Sequence, residues 1–401
     1  MNIEDKSLHR PAKREATRPV ADVPAAGQRA GSRPSAGQVV LVLQGGGALG
    51  AYQAGVYQAL HEAGIEPDWV IGTSIGAINA SLIAGNAPAD RLPRLREFWD
   101  RVTHTPLFDV GGGVPWLANA LPNWATLTNG ITGFFKPNPL AFLGLHVPLS
   151  ADAAGYYSTK PLEKTLGELV DFSRISHCAP RLTVGAANLH TSEMRYFDSR
   201  DSVLTARHIM ASGALPPAFP AVRINGELYW DGGILSNTPV EAVFDDNPRR
   251  NSLVFAVHIW NPQGDEPESI WQVMHRQKEI QYSSRALSHI MRQKQIHRLR
   301  HIIAELAAKL PEDERGADGT RELAAYGCLT QMHVVRLLAQ RLDHEDHTKD
   351  IDFSHSGIRK RWKAGYQDTM SMLEAAPWER PFDPLEGFHL HELRRAGVQP
   401  A

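Results

Sequence analysis
Residues 41–56 read LVLQGGGALGAYQAGV and residues 68–85 read DWVIGTSIGAINASLIAG. Both stretches pass from an apolar run through a glycine-rich turn into good helix formers. Val39–Leu43 is apolar at every position, as expected of a strand covered on both faces in a parallel sheet. The helix after the first turn carries Ala51, Ala54, Val56 and Leu60 and closes at Gly64, and the second closes near Gly85. Two strand–turn–helix units in immediate succession imply a βαβ crossover in an α/β fold with a mostly parallel sheet. Both glycine turns then lie at the carboxyl edge of neighbouring strands and face each other.

The first turn has Gly45, Gly47 and Gly50 in G-x-G-x-x-G spacing, which can seat a dinucleotide phosphate or any other anion on backbone N–H groups. A dinucleotide site also needs an acidic ribose ligand at the end of the second strand. Here Asp68 precedes that strand, and Gly72, Thr73 and Ser74 occupy its end. Gly72, Ser74 and Gly76 instead form G-x-S-x-G at a strand-to-helix junction, the spacing of a nucleophile elbow that exposes a serine hydroxyl. An attacking serine requires donors for the developing oxyanion, and the neighbouring glycine turn can supply them.

A serine nucleophile also needs a base. In YWDGGILSNTPV, residues 229–240, Asp231 ends an apolar stretch and opens a Gly232-Gly233 turn. A carboxylate in a partly apolar cleft gains basicity through desolvation. Read alone, the same residues are an Asp-Gly turn; beside the serine elbow they read as a base.

Taken together and in this order, GGGALG, GTSIG and DGG resemble the patatin-like phospholipases, over about residues 38–260. The resemblance implies a three-layer α/β/α patatin-like fold and a serine–aspartate dyad that hydrolyses lipid esters through an acyl-enzyme, without a catalytic histidine. Ser74 matches the nucleophile, Asp231 the general base, and Gly45, Gly46 and Gly47 the oxyanion loop. Gly50, Gly72, Gly76, Gly232 and Gly233 support the motifs. This chain has Leu49 where many relatives carry Arg or Lys, so any anchoring by that cation is absent or supplied elsewhere. The long C-terminal part exceeds the family core.

Other readings stay open on the residues alone. Eighteen histidines keep an ordinary α/β-hydrolase triad in view, with His208, His258 and His289 available, and a lipid-binding protein without turnover could keep the same fold. No metal and no cofactor is expected: LDHEDHTKD and HLHE lack a metal-ligand spacing and read as solvated loops. Cys178 and Cys328 are too few for a disulfide scaffold and are expected as buried reduced thiols.

The net charge of −2 gives no global attraction to nucleic acid or anionic membranes. Residues 1–37 are expected to be a disordered tail and do not read as a signal peptide; no later stretch has the length of a membrane span. The domain reading is therefore a tail, a serine hydrolase domain at 38–262 and a helical C-terminal extension at 263–401. Residues 105–155, rich in Gly, Pro, Trp and Phe, either wall an acyl pocket, form a lid or pack beneath a long connection.

Residues 271–310 place Leu287, Ile290, Met291, Leu299, Ile302, Ile303, Leu306 and Leu310 at helical spacings among Arg and Lys. This basic amphipathic helix either contacts a lipid surface or packs its stripe on the core; with little aromatic interleaving, nucleic acid is not an expected partner. LTQMHVVRLLAQRL (329–342) continues the helical pattern. The expected protein is cytoplasmic, with peripheral contact at a membrane or lipid surface.

Overall fold
In the computed structural model, residues 37–103, 130–143, 146–342, 348–383 and 386–392 are described. The central sheet contains β1 (Gln38–Leu43), β2 (Trp69–Gly72), β5 (Arg181–Asn188), β6 (Met194–Asp198), β7 (Val222–Ile224), β8 (Glu227–Asp231), β9 (Ser252–His258), β10 (Met332–Leu338) and β11 (Phe388–Glu392). Two short strands, β3 (Lys136–Pro137) and β4 (Tyr157–Ser158), pair separately. Across the main sheet the order is β11-β10-β9-β1-β2-β5-β8-β7, with β6 also paired to β5. From β11 to β5 all neighbours are parallel, whereas β6, β7 and β8 pair antiparallel.

The uninterrupted apolar run of β1 has the expected cause. Val39, Leu41 and Leu43 enter the core on one face and Val40 and Val42 the core on the other, because successive side chains of a strand point oppositely. On the first face pack α1 (Ala51–Glu62), α2 (Ile75–Ala84), α3 (Pro88–Val102) and the helix His355–Ala375. The second face meets the short helix Glu241–Phe244 and Ile290 of the helix Ile270–Lys309. The fold is thus three-layered α/β/α with a mostly parallel sheet and a helical C-terminal region.

That region also carries strands. Residues 329–342, expected to be helical, contain β10, which pairs with β9 on one side and β11 on the other. Met332, Val334, Val335 and Leu337 are buried; a short apolar run with adjacent valines satisfies either period, and the open edge of β9 decides it. HLHE, expected as a solvated loop, lies in β11 with His389 and His391 buried. Strands from both sides of residue 262 therefore share one sheet.

In the long helix most of the apolar stripe faces outward, the first of the two orientations left open. Ile290 is buried, but Leu287, Met291, Leu299, Ile302 and Leu306 are exposed, while Glu279, Ser283, His297 and His301 form the inner side. Cys178 is exposed and Cys328 half-buried, both as free thiols rather than buried ones. The proposed tail, apart from Gly37, lies outside the described residues, as do 105–129 of the irregular segment. Its described part packs Phe134 and Phe135 on Phe219, at 6.3 and 5.5 Å between ring centres. Among the described residues no helix is long and apolar enough to cross a membrane.

Candidate active site
Ser74 follows β2 after one residue, Thr73, and is the N-terminal cap of α2. Its φ of 56° and ψ of −125° are sparsely populated for a residue with a Cβ. The cause is local crowding: Gly72 ends β2, and Gly76, in the first turn of α2, lies so close under β1 that an added Cβ would stand 2.2 Å from the Leu43 carbonyl oxygen. The Ser74 amide donates to the Ser212 carbonyl at 3.1 Å and the Ser212 hydroxyl at 3.0 Å. Ser212 Oγ in turn donates to the Gly185 carbonyl at 2.6 Å. The elbow is therefore tied to β5 and to the helix Ala206–Ser212, and its serine remains half-buried rather than enclosed.

Asp231 ends β8 and is 2% exposed. Gly232 and Gly233 form the short turn that follows, and the Gly233 amide donates to Asp231 Oδ1 at 2.6 Å. Burial pushes the Asp231 carboxyl up from its ordinary value to about 6, against hydrogen bonds from the Ser74 side chain and the Gly233 amide that favour the carboxylate. Strands β2 and β8, which flank β5 in the sheet, thus bring the serine hydroxyl and the carboxylate together.

The glycine turn closes over the same point. A Cβ on Gly45 would stand 3.0 Å from Ser74 Cβ, so the two turns do face each other. The Gly45 amide donates to the Asn237 carbonyl at 3.2 Å, and its own carbonyl accepts from Trp260 Nε1 at 2.8 Å and Asn237 Nδ2 at 3.1 Å. Ala48 N–H donates to the Asp350 carbonyl at 2.9 Å. Between these anchors, the amides of Gly46 and Gly47 have no acceptor among the described residues. Gly47 has φ +56°, and an added Cβ would be 2.2 Å from the Asp350 oxygen, so this position requires glycine on both counts. Gly50 packs on Ile75 and Trp99, and Leu49 is buried.

Several residues that shape the site escaped sequence reading. Gln44, fully buried, accepts from the Ile259 and Trp260 amides at 2.6 and 3.0 Å and donates to Thr238 Oγ1 at 2.7 Å. Asn237, Ser212, Trp260 and Asp350 act only through tertiary contacts, and nothing in their spacing marks them. Apolar core packing adjoins the elbow: Ile75 and Trp99 meet Gly50, Trp99 stacks with Phe353 at 6.3 Å, and Phe134 lies 5.8 Å from Phe353.

The three histidines have the following surroundings. His208 Nδ1 accepts from the Thr205 amide at 3.1 Å and its ring packs edge-on against Phe197. His258 is buried, which holds its pKa down near 3, with Arg336 contributing. His289 lies 3.7 Å from Glu241 and lines a recess with Gly233, Asn237 and Tyr282. Among the described residues no histidine shifts the Asp231 carboxyl, and no group of His, Cys, Asp and Glu could hold a metal ion.

A family model described as patatin-like phospholipase matches residues 41–244, and one described as patatin phospholipase matches residues 280–385. Lysophospholipase NTE1 of Saccharomyces cerevisiae is 26% identical over 259 residues, covering 61% of this chain and 13% of that protein. Lysophospholipase nte1 of Aspergillus niger is 29% identical over 247 residues, covering 59% of this chain and 13% of that protein. The chain thus spans about an eighth of the length of these relatives. Among solved structures, VipD from Legionella pneumophila aligns with a TM-score of 0.36 at 17% identity, covering 85% of this chain and 67% of that one.

Proposed function
The chain belongs to the patatin-like phospholipase family, and from that premise we propose that it is a lipid acyl hydrolase working through Ser74 and Asp231. The observation that carries this reading is the convergence of three groups: the Ser74 hydroxyl, the buried Asp231 carboxyl whose ionised form that hydroxyl favours, and the Gly46 and Gly47 amides, which have no acceptor among the described residues. Ser74 Oγ attacks the ester carbonyl carbon while the Asp231 carboxylate takes its proton. The carbonyl oxygen becomes an oxyanion, received by the Gly46 and Gly47 N–H groups and by the positive end of α2, which Ser74 caps. As the intermediate collapses, the ester C–O bond breaks and the leaving alkoxide takes the proton from Asp231. Water then attacks the acyl-enzyme, gives its proton to Asp231, and the fatty acid leaves as Ser74 Oγ regains it. Gly45 shapes the loop, since its own amide is already bonded to Asn237.

Relatives named lysophospholipases make a lysophospholipid the first ester to try. Ser74→Ala is expected to reduce hydrolysis to background, and Asp231→Asn to lower it by roughly 10²- to 10⁴-fold, with circular dichroism unchanged. Full activity in either variant refutes the dyad.

For its meeting with substrate aggregates, the protein has the outward side of the helix Ile270–Lys309, where Ile270, Leu299 and Leu306 are 80%, 59% and 60% exposed beside exposed Arg292 and Arg298. This side is read as a peripheral contact with a lipid surface. The free thiols of Cys178 and Cys328 fit a reducing compartment such as the cytoplasm.

A further inference from the structure
The oxyanion loop contains no cation of its own, Leu49 being buried, yet it is held from outside at both ends. At its start, the Gly45 carbonyl is fixed by Trp260 Nε1 and Asn237 Nδ2. In a planar trans peptide the carbonyl and the following N–H point in opposite directions, so these two donors also set the direction of the Gly46 N–H. At its far end, the Ala48 amide is taken by the Asp350 carbonyl. The Gly46–Gly47 peptide lies between.

Both anchors lead to the long helix. Its Tyr282 carbonyl accepts from Gln44 Nε2 at 3.2 Å and from Asn237 Nδ2 at 3.4 Å, and the Tyr282 ring packs 5.1 Å from that of Trp260. Burial pushes the Tyr282 hydroxyl up to about 12, with the charges of Asp231 and Asp350 adding to the effect. Two consecutive helix residues then pair with two consecutive residues of the outer segment in reversed charge. Lys278 Nζ meets Asp350 at 2.9 and 3.0 Å, and Glu279 meets Lys349 Nζ at 2.8 Å. Glu279 is fully buried and also bonds Arg341 at 2.5 Å and His275 at 2.9 Å. Burial alone would raise its carboxyl; these partners outweigh that and hold it well below the usual range.

We propose that the C-terminal region is a working part of the active site: Lys278 and Glu279 are positioning residues that clamp Lys349–Asp350, whose main-chain carbonyl holds the glycine loop with its Gly46 and Gly47 amides turned to the substrate oxyanion. This rests on the serine–glycine-loop reading above, because a loop that receives no oxyanion has nothing to gain from being held. A donor misplaced by a fraction of an ångström loses its effect in the transition state while ground-state binding survives.

The test compares Lys278→Met, Asp350→Asn and Glu279→Gln with wild type on a chromogenic fatty ester. A long-chain trifluoromethyl ketone serves as tetrahedral analogue and the matching non-hydrolysable ether as ground-state analogue. The expected result is kcat lower by roughly ten- to a hundredfold, ketone affinity lower in parallel, and KM and ether affinity within about twofold, while Lys278→Arg restores most of the rate. Glu279→Gln leaves Lys349 buried without its partner and is the variant that can fail to fold; Lys278→Met and Asp350→Asn, at the more open pair, then decide alone. If a fluorophosphonate labels Ser74 in wild type and both of these variants keep kcat within twofold, the clamp is refuted and the dyad stands. If Ser74→Ala retains turnover, the underlying reading fails and the clamp with it.

Discussion

Ser74 and Asp231 obey opposite demands, and the chain meets both at single residues. Ser74 holds a backbone conformation that few side chains tolerate, secured by bonds to Ser212. Asp231 is buried and carries a carboxyl raised to about 6. Only the carboxylate can accept the serine proton, so kcat/KM is expected to rise with pH along a single ionisation centred near 6. A flat profile from pH 5 to 8 contradicts this role. The same shift has a cost in stability. Between the ordinary value of 3.8 and about 6, the folded chain binds the proton more tightly than the unfolded one, so stability falls as pH rises through that window. Asp231→Asn is therefore expected to be more stable than wild type at pH 7.5, by up to about 3 kcal/mol, with the difference gone near pH 4. A variant that melts lower at pH 7.5 shows that burial is not the source of the shift.

Local pattern made the elements around the serine legible, since β1, α1, β2 and α2 each have an apolar period and a glycine punctuation confined to their own residues. What the period could not decide were β10 and β11, whose short apolar runs suit either structure until a strand edge claims them, and the inner side of the long helix. There Glu279, His297 and His301 are buried through partners distant in sequence, the histidines through the Thr330 carbonyl. Asn237 and Asp350 were hidden for the same reason. One contact between elements can be tested directly. In α1 an added Cβ on Gly55 would stand 1.9 Å from the Trp362 carbonyl oxygen, and one on Gly365 would stand 2.0 Å from that of Tyr52. The two helices therefore touch backbone to backbone. Gly365→Ala is expected to cost about 1–3 kcal/mol in chemical denaturation, and to lower kcat because α1 continues from the glycine loop. Unchanged stability would mean that the helices do not pack this closely.

At the scale of the whole molecule, the sheet joins what the sequence divides at residue 262. Removing residues 263–401 would bare the edge of β9 that pairs with β10 and take away the helix packed on α1, so the truncated chain is expected to be insoluble or unfolded. A soluble, cooperatively melting fragment would make the C-terminal region an appendage. The outward side of the long helix predicts stronger co-sedimentation with anionic than with neutral vesicles, lost on Leu299→Ser with Leu306→Ser; equally weak binding to both removes the lipid contact. The central claim is that residues 74, 231 and 46–47 form one hydrolytic centre. It is tested most directly by reacting the protein with a long-chain fluorophosphonate and mapping the adduct by mass spectrometry. A single adduct on Ser74, strongly slowed by Asp231→Asn, is the result predicted. Labelling at another serine, or at an undiminished rate in Asp231→Asn, contradicts it.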